Sequence, residues 1–159
     1  MSELSGLADR YPKDNEAVLL DAGSQLVSGK YEIERIRELA RWKSPRRASL
    51  IDENSEQVLR EAIALVSEPQ RSEVLAIGIL TSLSGVGIPM ASSILTAMFP
   101  LKYTIIDYRA LATLGVEKWT GSIEFYLAYL EFCLATSKSA GLSLRSLDHA
   151  LWQRSKEQK

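Results

Sequence analysis

Two glycines that separate two apolar helical patterns constrain this chain more than any other part of its sequence. Gly85 and Gly87 flank Val86, and apolar residues on both sides recur at the three- and four-residue spacing of an α-helix. We therefore predict two helices that meet at this turn, because glycine adopts backbone angles that a Cβ would forbid and leaves room for a close neighbour. Val86 should point into the seam between the helices. Pro89 fits the first turn of the second helix, where a missing N–H does no harm.

The backbone amides of this turn form the first candidate site. From Val86 to the neighbours of Pro89, the N–H groups have no partner within the helix and lie at the positive end of its dipole, which favours a bound phosphate. Gly85, Val86, Gly87 and Ile88 are therefore candidate phosphate-binding residues. The turn by itself is also compatible with an ordinary corner between two helices, whose glycines only allow tight packing.

A carboxylate, Asp107, follows the second helix after a loop and the short apolar run 104–106, which is too short to indicate a sheet. We expect Asp107 to begin a helix that runs to Leu114 and is closed by Gly115. A simple N-cap would explain the residue, because carboxylates cap helices well. Both roles are compatible, since a cap at the mouth of a cleft is also an anchored carboxylate near the positive end of a helix.

These residues stand at the spacing of a known family. Leu83, Gly85, Val86, Gly87, Ala91 and Asp107 match the hairpin and the aspartate of the helix-hairpin-helix DNA glycosylases, which include endonuclease III and the adenine glycosylases. The resemblance covers roughly residues 58–115 and includes Arg109 in the helix after the aspartate. It implies DNA as the partner, Asp107 as the catalytic residue, Arg109 as a DNA contact, and removal of a damaged or mismatched base in base excision repair.

The chain departs from the family pattern in three places. Pro89 stands where the family's bifunctional members carry a Schiff-base lysine, so the resemblance implies a monofunctional enzyme without a lyase step. Cys133 is the only cysteine, which excludes the four-cysteine iron–sulfur cluster of some members. The family's glutamine-bearing helix, which wedges into the duplex, has no clear counterpart before Arg41. No cofactor is therefore expected, although the resemblance implies a monovalent cation held by the hairpin carbonyls.

The densest basic segment lies well before the hairpin. Residues 41–47 contain four cations, one aromatic side chain and no acid. One interpretation assigns Lys43 and Arg46 to the DNA backbone and places Trp42 near an extruded base. The other interpretation is a solvated loop whose tryptophan fills a gap in the core.

Composition limits the alternatives. The chain has 159 residues, 25% of them charged, and a formal net charge of −1. We predict one all-α domain, residues 1–159, a compact bundle of about seven to eight helices with its helix-hairpin-helix core at about 70–98. Because the chain is not basic overall, any DNA-binding surface must be local. The low cysteine content, and the lack of a long apolar run or signal sequence, favour a cytoplasmic protein without a membrane anchor.

The remaining helices follow from apolar spacing and from capping residues. They are expected at about 15–27, 31–42, 55–66, from Pro69 to the hairpin, 120–139 and from Ser143. Residues 1–14 should form a loop in which Asp14 caps the first helix, and 154–159 a charged tail. The helix at 120–139, with Thr120 as its cap, should be the most buried. His149 is expected to be a surface or capping residue, and one histidine with one cysteine cannot form a zinc site.

Two functions of different class remain open. The first is a monofunctional DNA N-glycosylase, in which the hairpin holds a phosphate and Asp107 stabilises positive charge on the deoxyribose. The second is a non-catalytic helix-hairpin-helix module that binds DNA through its phosphates. A third class, a protein-interaction domain without DNA binding, predicts no affinity that weakens steeply with salt.

Overall fold

The computed structural model describes residues 2–14 and 16–158, and this part of the chain is all-α, as predicted. Its α-helices are α1 (Glu3–Arg10), α2 (Glu16–Val27), α3 (Ile33–Lys43), α4 (Glu56–Val66), α5 (Glu73–Thr81), α6 (Ile88–Met98), α7 (Tyr108–Thr113), α8 (Ile123–Ala140) and α9 (Leu144–Glu157). A 3-10 helix, Ala48–Glu53, lies between α3 and α4. In the described ranges, every helix is too short or too polar to cross a bilayer.

Serine side chains define most helix starts. Five helices follow a serine whose hydroxyl accepts a hydrogen bond from the backbone N–H three residues later, namely Ser2, Ser55, Ser72, Ser122 and Ser143. The starts of α4 and α9 are as predicted. The predicted start of α5 near Pro69 is wrong, because the chain turns there and α5 begins only after Ser72. The cap of α8 is Ser122 and not Thr120, whose hydroxyl donates to the Ser122 hydroxyl.

The N-terminal region departs most from the prediction. Residues 3–10 form α1 instead of a loop, and α1 packs along α9 with Leu7 and Ala8 against Ala150. The predicted helix start at Asn15 lies outside the described residues. At the other end, residues 154–157 belong to α9 and not to a tail, and Glu157 forms an ion pair with Arg10 of α1.

Helix α6 lies at the centre of the core. Every residue from Met90 to Met98 is buried, and α2, α3 and α5 pack around this helix. At the crossing with α2 the two backbones touch, since a Cβ on Gly23 would lie 2.0 Å from the Ala97 carbonyl oxygen. The expectation that α8 is the most buried helix is wrong, because Phe132 of α8 is 46% exposed.

Several apolar side chains of the helices lie in solvent and not in the core. Val18, Val58, Val74 and Leu75 are all exposed. Each has an immediate or near neighbour on its helix that is buried, as Leu19 is beside Val18 and Leu59 is beside Val58. One residue along a helix rotates the side chain by about 100°, so broad apolar runs predict a face less sharply than they predict a helix.

Candidate functional site

The two hairpin positions, 85 and 87, accommodate glycine for different structural reasons. Gly85 has φ of +77°, in the left-handed region, and a Cβ there would lie 2.5 Å from the Cβ of Leu50 in the 3-10 helix. Gly87 has φ of −87°, and a Cβ there would approach only Pro89, at 3.8 Å from Cδ. The predicted need for an unusual backbone angle is therefore met at Gly85 alone. At Gly87 the hydrogen side chain leaves open space above an exposed backbone.

The hairpin amides are not equally available. The Val86 N–H donates to the Leu83 carbonyl at 3.2 Å, and the Val86 side chain is buried in the seam as predicted. The Val86 amide is therefore not free to bind a phosphate, contrary to the prediction. Within residues 2–14 and 16–158, no acceptor pairs with the amides of Gly85, Gly87 or Ile88. These three N–H groups at the start of α6 are available to an anion.

Asn54 fixes the hairpin from outside. Its side-chain oxygen accepts from the Ser84 N–H at 2.8 Å, and its side-chain amide donates to the Ser84 carbonyl at 3.0 Å. The Leu83 carbonyl also accepts a bond, so two of the turn's carbonyl oxygens are already used. A monovalent cation at the hairpin, which the resemblance implies, stays a prediction. Asn54 and Ser84 are 30 positions apart in the chain, and no sequence motif predicted their contact.

Three buried hydrogen bonds place the segment that leads to Asp107. The hydroxyls of Tyr126 and Tyr129 in α8 donate to the carbonyls of Thr104 and Ile105, at 2.9 and 3.1 Å. On the other side, the Ser92 hydroxyl of α6 accepts from the Ile106 N–H at 3.1 Å. The helix that begins at the hairpin thus holds the extended chain immediately before Asp107.

Asp107 caps α7 through only one of its two carboxylate oxygens. Its Oδ1 accepts from the Ala110 N–H at 2.9 Å, which confirms the predicted N-cap. Its Oδ2 lies 3.7 Å from Nζ of Lys43, the last residue of α3. The Asp107 and Lys43 side chains are 18% and 14% exposed. The carboxylate is therefore not consumed by its own helix, and an incoming ligand can reach it.

One cleft brings the hairpin and the aspartate together. This hairpin cleft, about 470 Å³, is lined by Gly85 and Gly87 and by Asp107, Arg47 and Arg109, with Lys43 at its edge. It contains three cationic side chains and one carboxylate, so its wall is positive in a chain whose net charge is −1. The local positive surface that a DNA contact requires is present here.

Arg109 is held by aromatic rings and not by an acid. Its guanidinium carbon lies 5.1 Å from the Tyr108 ring centre and 5.0 Å from the Trp152 ring centre. Its Nη1 is buried without a hydrogen-bond partner, and no ion pair involves Arg109 in the part of the chain that the structure describes. A guanidinium that is oriented by rings and not neutralised by an acid keeps its full positive charge for an anion in the cleft.

A second cleft lies on the other side of Asp107. This aromatic cleft, about 310 Å³, is lined by Tyr11, Trp42 and Trp152 and by carboxylates that include Asp148. Asp107, Lys43 and Trp152 border both clefts. The Asp107 carboxylate therefore lies where a positive cleft meets an acidic, aromatic one.

The basic segment divides between these surfaces. Trp42 packs partly against the core and also lines the aromatic cleft, so both interpretations of this residue hold in part. Lys43 lies at the site, beside Asp107. Arg46 is exposed and borders neither cleft, whereas Arg47, which the sequence did not single out, lines the hairpin cleft. Arg41 is paired with Glu34 on its own helix.

A buried ionic cluster borders the aromatic cleft through Glu16 and Asp148. Arg145 of α9 makes two hydrogen bonds of 2.8 Å to Glu16 of α2 and a third to Asp148. Nη2 of Arg145 also lies 3.0 Å from Nε2 of His149, and the Tyr11 ring stacks on His149 with ring centres 4.0 Å apart. The expectation that His149 is a surface or capping residue is wrong, because the chain between α1 and α2 covers it.

The cluster shifts the pKa values of its two acids in opposite directions. Burial favours the neutral form of Glu16, but hydrogen bonds from His149 and Arg145 outweigh it and lower the pKa of Glu16 to about 2. Burial raises the pKa of Asp148, and Arg145 offsets this only in part. The i, i+3 and i+4 spacing of Arg145, Asp148 and His149 was the available sequence signal for a shared helix face.

No protein-family model, no curated protein and no solved structure matches the chain.

Proposed function

We propose that this protein is a monofunctional DNA N-glycosylase, a hydrolase that removes a base from an extruded nucleotide during DNA repair. The observation that carries the proposal is the position of Asp107 between the two clefts. A phosphate fits the positive side, a base fits the aromatic side, and the deoxyribose that joins them would then face the carboxylate.

The hairpin cleft would hold the phosphate next to the target nucleotide. The open amides of Gly85, Gly87 and Ile88 supply hydrogen bonds at the positive end of α6. Arg47 and Arg109 add charge, and Arg109 is already oriented by its two flanking rings. Extrusion of the nucleotide costs stacking and pairing energy, which these backbone contacts offset.

Asp107 would act on the sugar. As the C1′–N bond breaks, positive charge develops on the deoxyribose, and a carboxylate at that position stabilises it. Water then adds its oxygen to C1′, so that the products are a free base and an abasic site. The Lys43 ammonium serves as counter-ion of Asp107, and we expect no covalent amine adduct when an abasic duplex is treated with borohydride.

The test is replacement of Asp107 by Asn on a panel of duplexes, each with one modified or mismatched base, scored for abasic-site formation. Removing the charge should lower the single-turnover rate about a thousandfold or more while DNA affinity is kept or increased. Asp9→Asn, at an exposed position of α1, is the matched control. Excision by the Asp107→Asn protein at the wild-type rate would end the assignment.

A second candidate function is a non-catalytic DNA-binding module. It is favoured by the hydrogen bond from the Ala110 N–H to Asp107, because helix capping alone explains a carboxylate at this position. This function predicts salt-dependent duplex binding with no excision of any base in the panel. Absence of both binding and excision would favour a protein-interaction domain.

A further inference from the structure

The hairpin cleft is larger than the phosphate assigned to it requires. Its volume is about 470 Å³, whereas the aromatic cleft, which receives a whole base under the proposed function, has a volume of about 310 Å³. The open amides of the hairpin, with Arg47 and Arg109, account for a phosphate. They do not account for the aromatic side chains that line the same cleft, so a further part of the ligand has room there.

The aromatic residues of the hairpin cleft are Tyr108, Trp119 and Trp152. Trp152 also borders the aromatic cleft, and its ring contacts the Arg109 guanidinium. Tyr108 and Trp119 border the hairpin cleft and not the aromatic cleft. These two rings are therefore within reach of a part of the ligand other than the target base.

Tyr108 presents an open ring beside the Asp107 carboxylate. It is 69% exposed, more than any other aromatic residue in the described ranges. It follows Asp107 directly and begins α7, so the helix fixes the backbone that carries the ring. The Arg109 guanidinium lies 5.1 Å from the centre of the ring. An exposed aromatic ring next to a cation is a stacking surface for a base whose backbone the cation attracts.

Trp119 gives the hairpin cleft a second, more rigid aromatic surface. It lies in the segment between α7 and α8, where its ring packs against the core, with its centre 5.6 Å from the centre of the Phe125 ring. Because the ring is already held in place, a ligand that contacts its remaining surface orders no further side chain. A phosphate gains little from such a surface, whereas the flat face of a base gains stacking contact.

The order of groups along a DNA strand determines what reaches these rings. Under the proposed function the target base lies in the aromatic cleft, its deoxyribose lies at Asp107 and its phosphate lies at the hairpin amides. The group beyond that phosphate is the neighbouring nucleotide. When this nucleotide is paired within a duplex, its base is stacked between other bases. When it is unpaired, its face is open to an aromatic side chain.

We propose that the hairpin cleft also binds the nucleotide next to the target, with its base unpaired and stacked on Tyr108 and Trp119. This inference rests on the proposed glycosylase function, since it assumes the target base in the aromatic cleft. The substrate class is then DNA with two consecutive unpaired nucleotides, as in a single strand, a loop or a bubble. Stacking accepts every base, so the neighbouring position carries no strong sequence preference.

The experiment uses three duplexes that carry the same modified base. In the first duplex only the target nucleotide is unpaired, in the second its 5′ neighbour is also unpaired, and in the third its 3′ neighbour is also unpaired. We expect one of the two neighbours, and not the other, to increase the single-turnover rate at subsaturating protein by about 5- to 150-fold, the effect of one stacked base. Easier opening of the duplex would act from both sides, so a one-sided increase identifies the cleft.

Substitution of Tyr108 tests the stacking surface itself. Tyr108→Ala should remove most of the one-sided increase, whereas Tyr108→Phe keeps the ring and should retain the increase. Phe132→Ala is the matched control, because Phe132 is an exposed aromatic residue that borders neither cleft. Affinity for the same duplexes, measured by fluorescence anisotropy, should follow the rates, and thermal unfolding shows that each variant is folded.

The outcomes separate this inference from the proposed function. Equal rates on the three duplexes, an equal effect of both neighbours, or a one-sided increase that survives Tyr108→Ala would overturn the second nucleotide site alone. If the wild type excises no base from these duplexes or from the panel of modified bases, the proposed function fails, and the second site fails with it.

Discussion

Replacing each hairpin glycine by alanine separates folding from DNA binding, because a Cβ meets different surroundings at the two positions. At residue 85 it enters the left-handed backbone region and lies 2.5 Å from the Cβ of Leu50. At residue 87 it projects into open space at the edge of the hairpin cleft, next to unpaired amides. We therefore expect Gly85→Ala to lower stability and Gly87→Ala to lower DNA affinity.

The size of each effect follows from the geometry. For Gly85→Ala, a left-handed non-glycine residue costs about 1–2 kcal/mol, and overpacking against Leu50 adds about 1–3 kcal/mol. At about 2–4 °C per kcal/mol for a chain of this size, the Tm should fall by about 4–20 °C. Gly87→Ala has an ordinary φ, but Gly87 is the N-cap of α6, where alanine is less favourable than glycine, so the Tm should fall by no more than about 2–4 °C. If its Cβ displaces a phosphate from one amide, a loss of about 1.5–3 kcal/mol weakens Kd about 10- to 150-fold.

The assays are thermal unfolding by circular dichroism and fluorescence anisotropy with a labelled duplex at two salt concentrations. Because amide contacts carry no formal charge, the salt dependence of Gly87→Ala should resemble that of the wild type, whereas Arg109→Ala should reduce it. A folded Gly87→Ala protein with wild-type affinity would refute the idea that these amides hold a phosphate. A fully stable Gly85→Ala protein would refute the packing argument.

Three further predictions concern the fold that supports the site. Gly23→Ala should destabilise the protein by about 1–3 kcal/mol or more, since its Cβ would lie 2.0 Å from a backbone oxygen of α6, whereas Gly78→Ala meets nothing within 4 Å and should stabilise α5 by up to about 1 kcal/mol. Both are measured by urea unfolding. Tyr126→Phe leaves the buried Thr104 carbonyl without its donor and should cost about 1–3 kcal/mol in the same assay. The depressed pKa of Glu16 implies stability that is present above its ordinary value of 4.5 and is lost as pH falls towards about 2, so Glu16→Gln should flatten the acid limb of Tm against pH.

Local chemistry explains why the hairpin and the aspartate were predictable. The positive φ at Gly85, Pro89 in the first turn of α6 and the Asp107 cap each depend on residues within a few positions along the chain. Such signals survive in a single sequence because the interacting groups are sequence neighbours. The wrong start of α5 is a failure of the same kind, since Pro69 and Ser72 both resemble helix starts and only one hydroxyl finds its amide.

The acidic side of the site depends on contacts that no local pattern encodes. Glu16 and Arg145 are 129 residues apart, and their bonds form only because α2 and α9 are brought together. Helix α1 was missed because its first residues are mostly polar, and Tyr11, which follows it, reaches the aromatic cleft only once α1 lies on α9. The sequence does not reveal that the Val86 amide is already bonded, because its bond to the Leu83 carbonyl depends on the three-dimensional shape of the turn.

The hydrogen bond between Ser92 and Ile106 joins the segment before Asp107 to α6, the helix that begins at the hairpin. The hairpin amides and the Asp107 carboxylate are therefore both positioned by the same helix. The walls of the aromatic cleft come from elsewhere, from the chain around Tyr11, from α3 and from α9. Under the proposed function, substitutions in those walls would change which base is preferred without changing the distance between the phosphate contact and the carboxylate.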